Sequence, residues 1–544
     1  MTIMASVSSS VSSYNHKHET DHFSSRVRVY LLSVIMKLIM GKKLYITTAI
    51  PYVNATPHIG NALDYLLADI WTRYQKQNGK EVRFQVGTDE HGNKIAAKAA
   101  ENNLDPKAYT DQMYGNFELL MQKVGSSYTD FIRTTDPHHI GAVQYIWQKL
   151  QPYIYKGTYE GWYCQGCESF VTDKEATTNN GVCPDHNQPY QRLSEDNYYL
   201  KTSAFTEKVR DAIETGRMEI VPEFRKKEFL ELIKDGLQDV SISRPRKNLT
   251  WGVAVPGDPD QIMYVWIDAL ANYITVLGYP DKEGWQEYWP ADVQVIGKDI
   301  LRFHAGIWPA MLLGLGISLP KKLMVHGHIN VGNVKMSKSL GNVVDPNKVI
   351  DEYGLDAFRY FFSRHIPTLD DGDFTWEKFE TAYNTELGND LGNLISRVAS
   401  MVSRYQSGVI GDALQSDHDM KPYFDAMNNL QFDQALDNVW LTVRSLNKYI
   451  EMVKPWEIAK NRESDPDAEA HLGEVLGHAV GTLVQIGHQL APFLPNTSAV
   501  IEKTFGSGVI APIESPGGLF PKIYQYSEDP RAASKSATPP ITGV

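Results

Sequence analysis

The stretch from Lys43 to Gly92 reads KLYITTAIPYVNATPHIGNALDYLLADIWTRYQKQNGKEVRFQVGTDEHG, and it decides the fold. Lys43–Ala49 (KLYITTA) is a short run of β-formers that stops before Pro51. After a loop, Ala62, Leu63, Leu66, Leu67, Ile70, Trp71 and Tyr74 recur at i, i+3 and i+4. That spacing predicts an amphipathic helix closed at Gly79. Val82–Val86 (VRFQV) is a second strand, running into Gly87-Thr88-Asp89-Glu90-His91-Gly92. Strand, turn, helix and strand make a βαβ unit, and such a crossover implies a parallel sheet. Ligands of these sheets bind beyond the carboxyl ends of the strands, where the polar loops of this stretch fall.

Working outward, β-α signals return at Met263–Ile267 (MYVWI), Val293–Ile296 (VQVI) and Leu323–His326 (LMVH). The text between is turn-rich and aromatic and holds every cysteine. The reading is one sheet, 42–151 and 230–330, interrupted by an inserted module at 152–229. A connecting region follows at 331–380. From 381 to 525 helical periodicity dominates, with Leu387, Leu391, Leu394, Ile395, Val398 and Val402 in phase, which predicts an α-bundle. The fold class is α/β, a Rossmann-like parallel-sheet domain with an insertion, followed by a helical domain. Residues 1–41 and 526–544 are expected to be disordered.

Composition agrees with a globular protein of several domains: 544 residues, 42% hydrophobic and 22% charged. Lys+Arg 53 against Asp+Glu 65 gives a net charge of −12, not the signature of a uniformly basic nucleic-acid binder. A local basic groove on an acidic protein remains compatible with it. No apolar run is long enough to span a membrane; Val29–Met40 is short and broken by Lys37. Glu19 and Asp21 are unlike an acid-poor transit peptide, so the cytoplasm is expected, with a mitochondrion as the lesser alternative.

The cysteines are spaced Cys164-x2-Cys167-x15-Cys183-x2-His186. Two chelating pairs separated by a loop suit one tetrahedral Zn²⁺, and four protein ligands leave no open position, so the metal is expected to be structural. Buried or redox-active free thiols are the alternative.

Two further motifs bear on chemistry. Pro57-His58-Ile59-Gly60-Asn61 opens the first long helix, where unpaired N–H groups and a partial positive charge suit a phosphate. Gly60 lacks a Cβ and admits close approach, and His58 can donate to phosphate oxygens. Far downstream, Lys335-Met336-Ser337-Lys338-Ser339 carries two lysines in a glycine-flanked loop, suited to a departing polyphosphate.

PHIGN at 57–61 paired with KMSKS at 335–339 resembles the double signature of class I aminoacyl-tRNA synthetases. Ile50-Pro51-Tyr52-Val53-Asn54, TDEHG at 88–92, VWIDALANY at 265–273 and GKDILRFH at 297–304 narrow the resemblance to methionyl-tRNA synthetases of the single zinc-knuckle form, over roughly residues 42–525. The resemblance implies an enzyme that activates L-methionine with ATP and Mg²⁺ and transfers it to tRNA(Met). It implies an amine anchor at Asp89 and a side-chain pocket of Ile50, Tyr52, Trp266, Leu270, Tyr273, Ile300 and His304. Tyr273 and His304 are expected to offer hydrogen bonds to the thioether. Nucleotide contacts fall to His58, Gly60, Asn61, Gly297, Asp299, His328, Lys335 and Lys338, with His326 beside them. Asn393, Arg397 and Trp456 match anticodon-reading positions of the helical domain. Asn61 departs from the family's second histidine; it keeps donors but cannot become cationic. A monomer without membrane contact is expected. The alternatives are another class I synthetase or a noncatalytic tRNA-binding relative.

Overall fold

The computed structural model describes residues 42–165, 169–184, 187–336, 342–409, 418–465, 467–510 and 518–523. The termini expected to be disordered lie outside them.

Six strands form the central sheet: β1 (Lys43–Thr48), β2 (Glu81–Thr88), β3 (Asp130–Arg133), β4 (Glu219–Val221), β5 (Val293–Gly297) and β6 (Lys322–His326). Their order is β3-β2-β1-β5-β6-β4, and every neighbouring pair is parallel. Ile46 of β1 sits opposite Phe84 on one side and Val293 on the other. From β1 the chain first builds outward through β2 and β3. It later fills the other side, so the order reverses between β1 and β5, the place where open α/β sheets form their crevice.

The helix after β1, α1 (Ile59–Gln77), buries the predicted apolar face from Ile59 to Tyr74 against the sheet. Gly79 follows it at φ 75, a conformation that favours glycine. Around Met263 the expected strand differs. The strand ends at Met263, and α2 (Val265–Thr275) begins two residues on. The apolar run MYVWI hides this boundary, because a short apolar run does not separate strand from buried helix.

The insertion forms an antiparallel sheet of Ile154–Cys164, Ser169–Val171, Gln191–Leu200 and Val240–Ser241. It does not end at 229 as one block. β4 at 219–221 already pairs with β6 of the main sheet, while Val240–Ser241, later in sequence, pairs back with the insertion. Strands of two or three residues carry too little periodicity to be read from sequence.

The segment expected to be a connector also differs. Ile329–Val331, Val334–Lys335 and Gly372–Phe374 form a small sheet, and α3 (Leu355–Arg364) buries Phe358, Phe361 and Phe362. Beyond it run α4 (Asn393–Tyr405), α5 (Phe432–Val453) and α6 (Ala468–Leu490). A single apolar core extends from Leu44 and Ile46 through Phe358 to Val439, Leu483 and Phe505. The sheet and the helical region are therefore packed as one body, with α3 between them.

Candidate active site

The loop after β1 and the start of α1 carry the PHIGN motif. His58 is the N-cap of α1, and its Nδ1 accepts from the Gly60 N–H at 3.1 Å. Asn61 Oδ1 accepts from the His58 N–H at 3.0 Å, completing a capping box. A backbone N–H only donates, so Nδ1 carries no proton and the ring N–H of His58 is Nε2. The helix start differs from the sequence expectation in one respect: its orphan N–H groups are partly occupied by the motif's own side chains. Nor is the space above Gly60 kept for a base. A Cβ there would meet His58 Cε1 at 2.9 Å, so the glycine makes room for the imidazole.

On the far side of the crevice β5 ends in Gly297, whose added Cβ would lie 2.7 Å from Asp299 Oδ1. Asp299 is exposed and lies 3.5 Å from His328 Nε2. His326, at the end of β6, is buried. Its Nδ1 lies 2.8 Å from the Gly327 carbonyl and its Nε2 2.5 Å from Asp64 Oδ1 on α1. Both partners accept, so both ring nitrogens hold protons. Burial opposes the charge, but the Asp64 carboxylate outweighs it and raises the pKa of His326. This ion pair ties the helix of the first motif to the strand that leads toward the second. Lys335 lies in the short strand paired with Asn330; Lys338 lies outside the described residues.

The expected amino-acid pocket forms around α2 and the loop after β5. Trp266 stacks on Phe303 with ring centroids 3.7 Å apart and planes 11° from parallel. Leu270 and Tyr273 are buried on the same helix, and Ile300 is half-buried against a neighbouring apolar cluster. His304 lies in a π-helical turn, Phe303–Ile307, a backbone irregularity common at functional positions. Its Nδ1 lies 3.0 Å from the Ile300 carbonyl, and its Nε2 lies 2.7 Å from the Tyr273 hydroxyl. Burial pushes His304 down to about 4, so the ring is neutral at pH 7. The carbonyl can only accept, which puts the one proton on Nδ1. Nε2 is then bare, and the Tyr273 hydroxyl must donate to it. Both donors expected to face a thioether are thus engaged with protein atoms.

Asp89 is buried at the end of β2. Its N–H donates to the Pro51 carbonyl at 2.9 Å and its carbonyl accepts from Val53 N–H at 3.1 Å, joining it to the Ile50–Tyr52 loop. Gly92, at φ 121, is needed on two counts: backbone, and a Cβ that would lie 1.9 Å from the Tyr52 hydroxyl oxygen.

A network that no sequence motif announced holds these parts in register. Asp268 of α2 lies 2.7 Å from His91 Nδ1 and 3.0 Å from His139 Nε2, and His139 Nδ1 lies 2.8 Å from Thr275 Oγ1. All three charged or ionisable side chains are buried. Burial alone would raise Asp268, but His91 and His139 outweigh it and hold the carboxyl at about 2. The loop bearing Asp89 and the helix bearing Trp266 and Tyr273 are locked together there. His139 stands in an ordinary amphipathic helix, so no spacing rule would have found it.

The remaining sequence candidates fall elsewhere. Cys164 and Cys183 are buried in one small cluster with Ala176 and Tyr190; Cys167 and His186 lie outside the described residues. Arg397 donates to Asn447 Oδ1 at 2.9 Å and pairs with Glu451. Asn393 is exposed one turn before it, and Trp456 is half-buried at a helix start.

The profile described as tRNA synthetases class I (M) matches residues 44–194 and 186–399. Fold, site and match together make this a class I aminoacyl-tRNA synthetase. A methionine–tRNA ligase of Caldanaerobacter subterraneus subsp. tengcongensis is 43% identical over 473 residues, spanning 84% of this chain and 73% of that one. One from Listeria monocytogenes serotype 4b is 39% identical over 523 residues, spanning 91% and 77%. The crystal structure of Mycobacterium tuberculosis methionyl-tRNA synthetase bound by methionyl-adenylate superposes with a TM-score of 0.83 at 33% identity, covering 88% of this chain and 100% of that one. Within the class, the chain belongs to the methionine–tRNA ligase family.

Proposed function

We propose that this chain charges tRNA(Met) in two steps at the crevice between β1 and β5. In the first, the methionine carboxylate attacks the α-phosphate of ATP and pyrophosphate leaves. In the second, the 2′ hydroxyl of the terminal adenosine of tRNA takes the methionyl group. The observation that carries this reading is the tie between α1 and β6 through Asp64 and His326. It supports a convergence of the early histidine motif and the late lysine motif on one triphosphate.

No protein nucleophile is required; the work is positioning and charge stabilisation. Asp89 holds the methionine ammonium, and Ile50, Tyr52, Trp266, Leu270, Tyr273, Ile300 and His304 surround its side chain. His58 donates from Nε2, Asn61 adds an amide, and Gly297, Asp299 and His328 face the adenosine. Lys335 and Lys338 hold the departing pyrophosphate, whose oxygens Mg²⁺ bridges when bound. Asn393, Arg397 and Trp456 read the anticodon.

A structural zinc fits the donor set of Cys164, Cys167, Cys183 and His186. Two buried thiols sit in a cluster with only two other buried residues, a core too small to hold the insertion's tip by apolar contacts. When bound, the metal supplies folding energy rather than chemistry. A cytoplasmic monomer completes the reading.

The decisive experiment is ATP–pyrophosphate exchange across the standard amino acids. Methionine is expected to be the one that supports it; exchange with another amino acid alone overturns the reading. Lys338→Ala is expected to cut methionine-dependent exchange at least about a hundredfold while methionine binding barely changes. Asn61→His is expected to keep exchange within about tenfold. A loss of several hundredfold would mean that the site is built around the amide.

A further inference from the structure

Beside the methionine site lies a second cavity, of about 410 Å³, that no step above uses. We infer that it receives the 3′-terminal adenosine of the tRNA during the transfer step. The inference rests on the tRNA-charging reading above.

Position is the first argument. The ribose hydroxyl must reach the methionyl carbonyl, and that carbonyl is bonded to the carbon bearing the amine held by Asp89. His91 and Gly92, directly after Asp89, form one wall of the cavity, and Val265, directly before Trp266, forms another. Size is the second, since about 410 Å³ lies in the range of pockets that bury one small ligand. Surface chemistry is the third. Trp251 and Tyr163 offer flat aromatic faces of the kind on which unpaired bases stack. Trp251 is braced for this: its indole N–H donates to the Glu90 carbonyl at 2.6 Å, and its ring lies 5.3 Å from His91. Arg244 brings a buried cation to the wall, 3.8 Å from the Glu195 carboxylate, so a donor and an acceptor sit side by side.

The insertion gains a role from this arrangement. Tyr163 and Gln165 flank Cys164, so the metal-bearing tip builds part of the adenosine wall. In the step served, the 2′ oxygen bonds to the methionyl carbonyl carbon and the carbonyl–phosphate oxygen bond breaks. AMP leaves with that electron pair and its phosphate takes the hydroxyl proton, so no protein base is needed.

Ala97 offers a clean test. It lines the cavity from the exposed face of the helix Asn93–Glu101, so a larger side chain there obstructs the cavity without touching the core. Ala97→Trp is expected to slow single-turnover transfer from enzyme-bound methionyl-adenylate to tRNA at least twentyfold. ATP–pyrophosphate exchange is expected to stay within twofold of the parent. Transfer within twofold of the parent overturns the inference, and so does an equal loss of both activities, which would mean that the plug acts on the methionine site. A second measurement compares binding of intact tRNA with tRNA lacking its terminal adenosine. The parent is expected to prefer the intact form and Ala97→Trp to bind both alike; the same preference in both proteins overturns the inference. Absence of exchange in the parent itself sinks the charging reading instead.

Discussion

Two buried side chains show how single residues set the properties of the site. His304 falls from an ordinary 6.5 to about 4 because it is buried. The unfolded chain therefore takes a proton before the folded one does, and stability is full above about pH 6.5 and declines as pH drops toward 4. The span corresponds to about 3 kcal/mol. His304→Gln is expected to flatten this part of the denaturation-midpoint profile between pH 6.5 and 4; an unchanged slope would show that the ring protonates in the folded state. Asp268 has the opposite sign. Its folded value, about 2, lies below the ordinary 3.8, so its contribution is complete above pH 4 and is lost as pH falls through 2. Asp268→Asn is expected to cost about 2 kcal/mol at neutral pH, a gap that narrows in urea titrations run below pH 4. The same variant is expected to raise KM for methionine more than it lowers kcat, because the network orients the pocket and takes no part in bond making. Asn61, in contrast, was legible as a departure from the sequence alone, and the structure adds what it does: it closes the cap on α1.

At the scale of elements, α3 is the part the sequence undersold. Arg359 on this helix is fully buried. It donates to the carbonyls of Phe493 at 2.6 Å, Pro492 at 2.8 Å and Val124 at 3.0 Å, and lies 2.8 Å from Asp69 of α1. Burial would raise Asp69, but Arg359 and Arg73 more than offset it and hold the carboxyl below its usual range. One guanidinium thus clamps α1, the main sheet's flank and the end of α6. Asp69→Asn is expected to lower stability by about 3 kcal/mol, since it leaves a buried cation without its counter-charge. Adding Arg359→Met is expected to recover part of that loss in a double-mutant cycle, and strict additivity would show that the two are not coupled. The insertion calls for a different test. Chelation of the proposed zinc is expected to make the chain between Cys164 and Tyr190 sensitive to protease while the central sheet stays resistant; equal resistance with and without chelator would argue for a core that needs no metal.

Across the whole molecule, the continuous core from Leu44 to Phe505 couples the helical region to the sheet. A signal at the anticodon end has a packed route to the catalytic end through α3, although packing alone does not demonstrate transmission. Trp456→Ala is expected to lower tRNA aminoacylation by about a hundredfold or more and leave ATP–pyrophosphate exchange within twofold. Equal losses would make Trp456 a packing residue, a role its half-buried position against the core also permits.

The sequence by itself determined the parallel α/β class, the helical region after it and the paired motifs, because these depend on local periodicity and on short strings with fixed chemistry. It also named Asp89, Trp266, Tyr273 and His304 through family resemblance. Only the tertiary structure decided that β4 returns to the main sheet, that Tyr273 donates to His304, and that His326 meets Asp64. It alone brought Asp268 to two histidines and Arg359 to three carbonyls. These contacts join residues far apart in the chain, and their energies come from burial and charge neutralisation that no local pattern encodes.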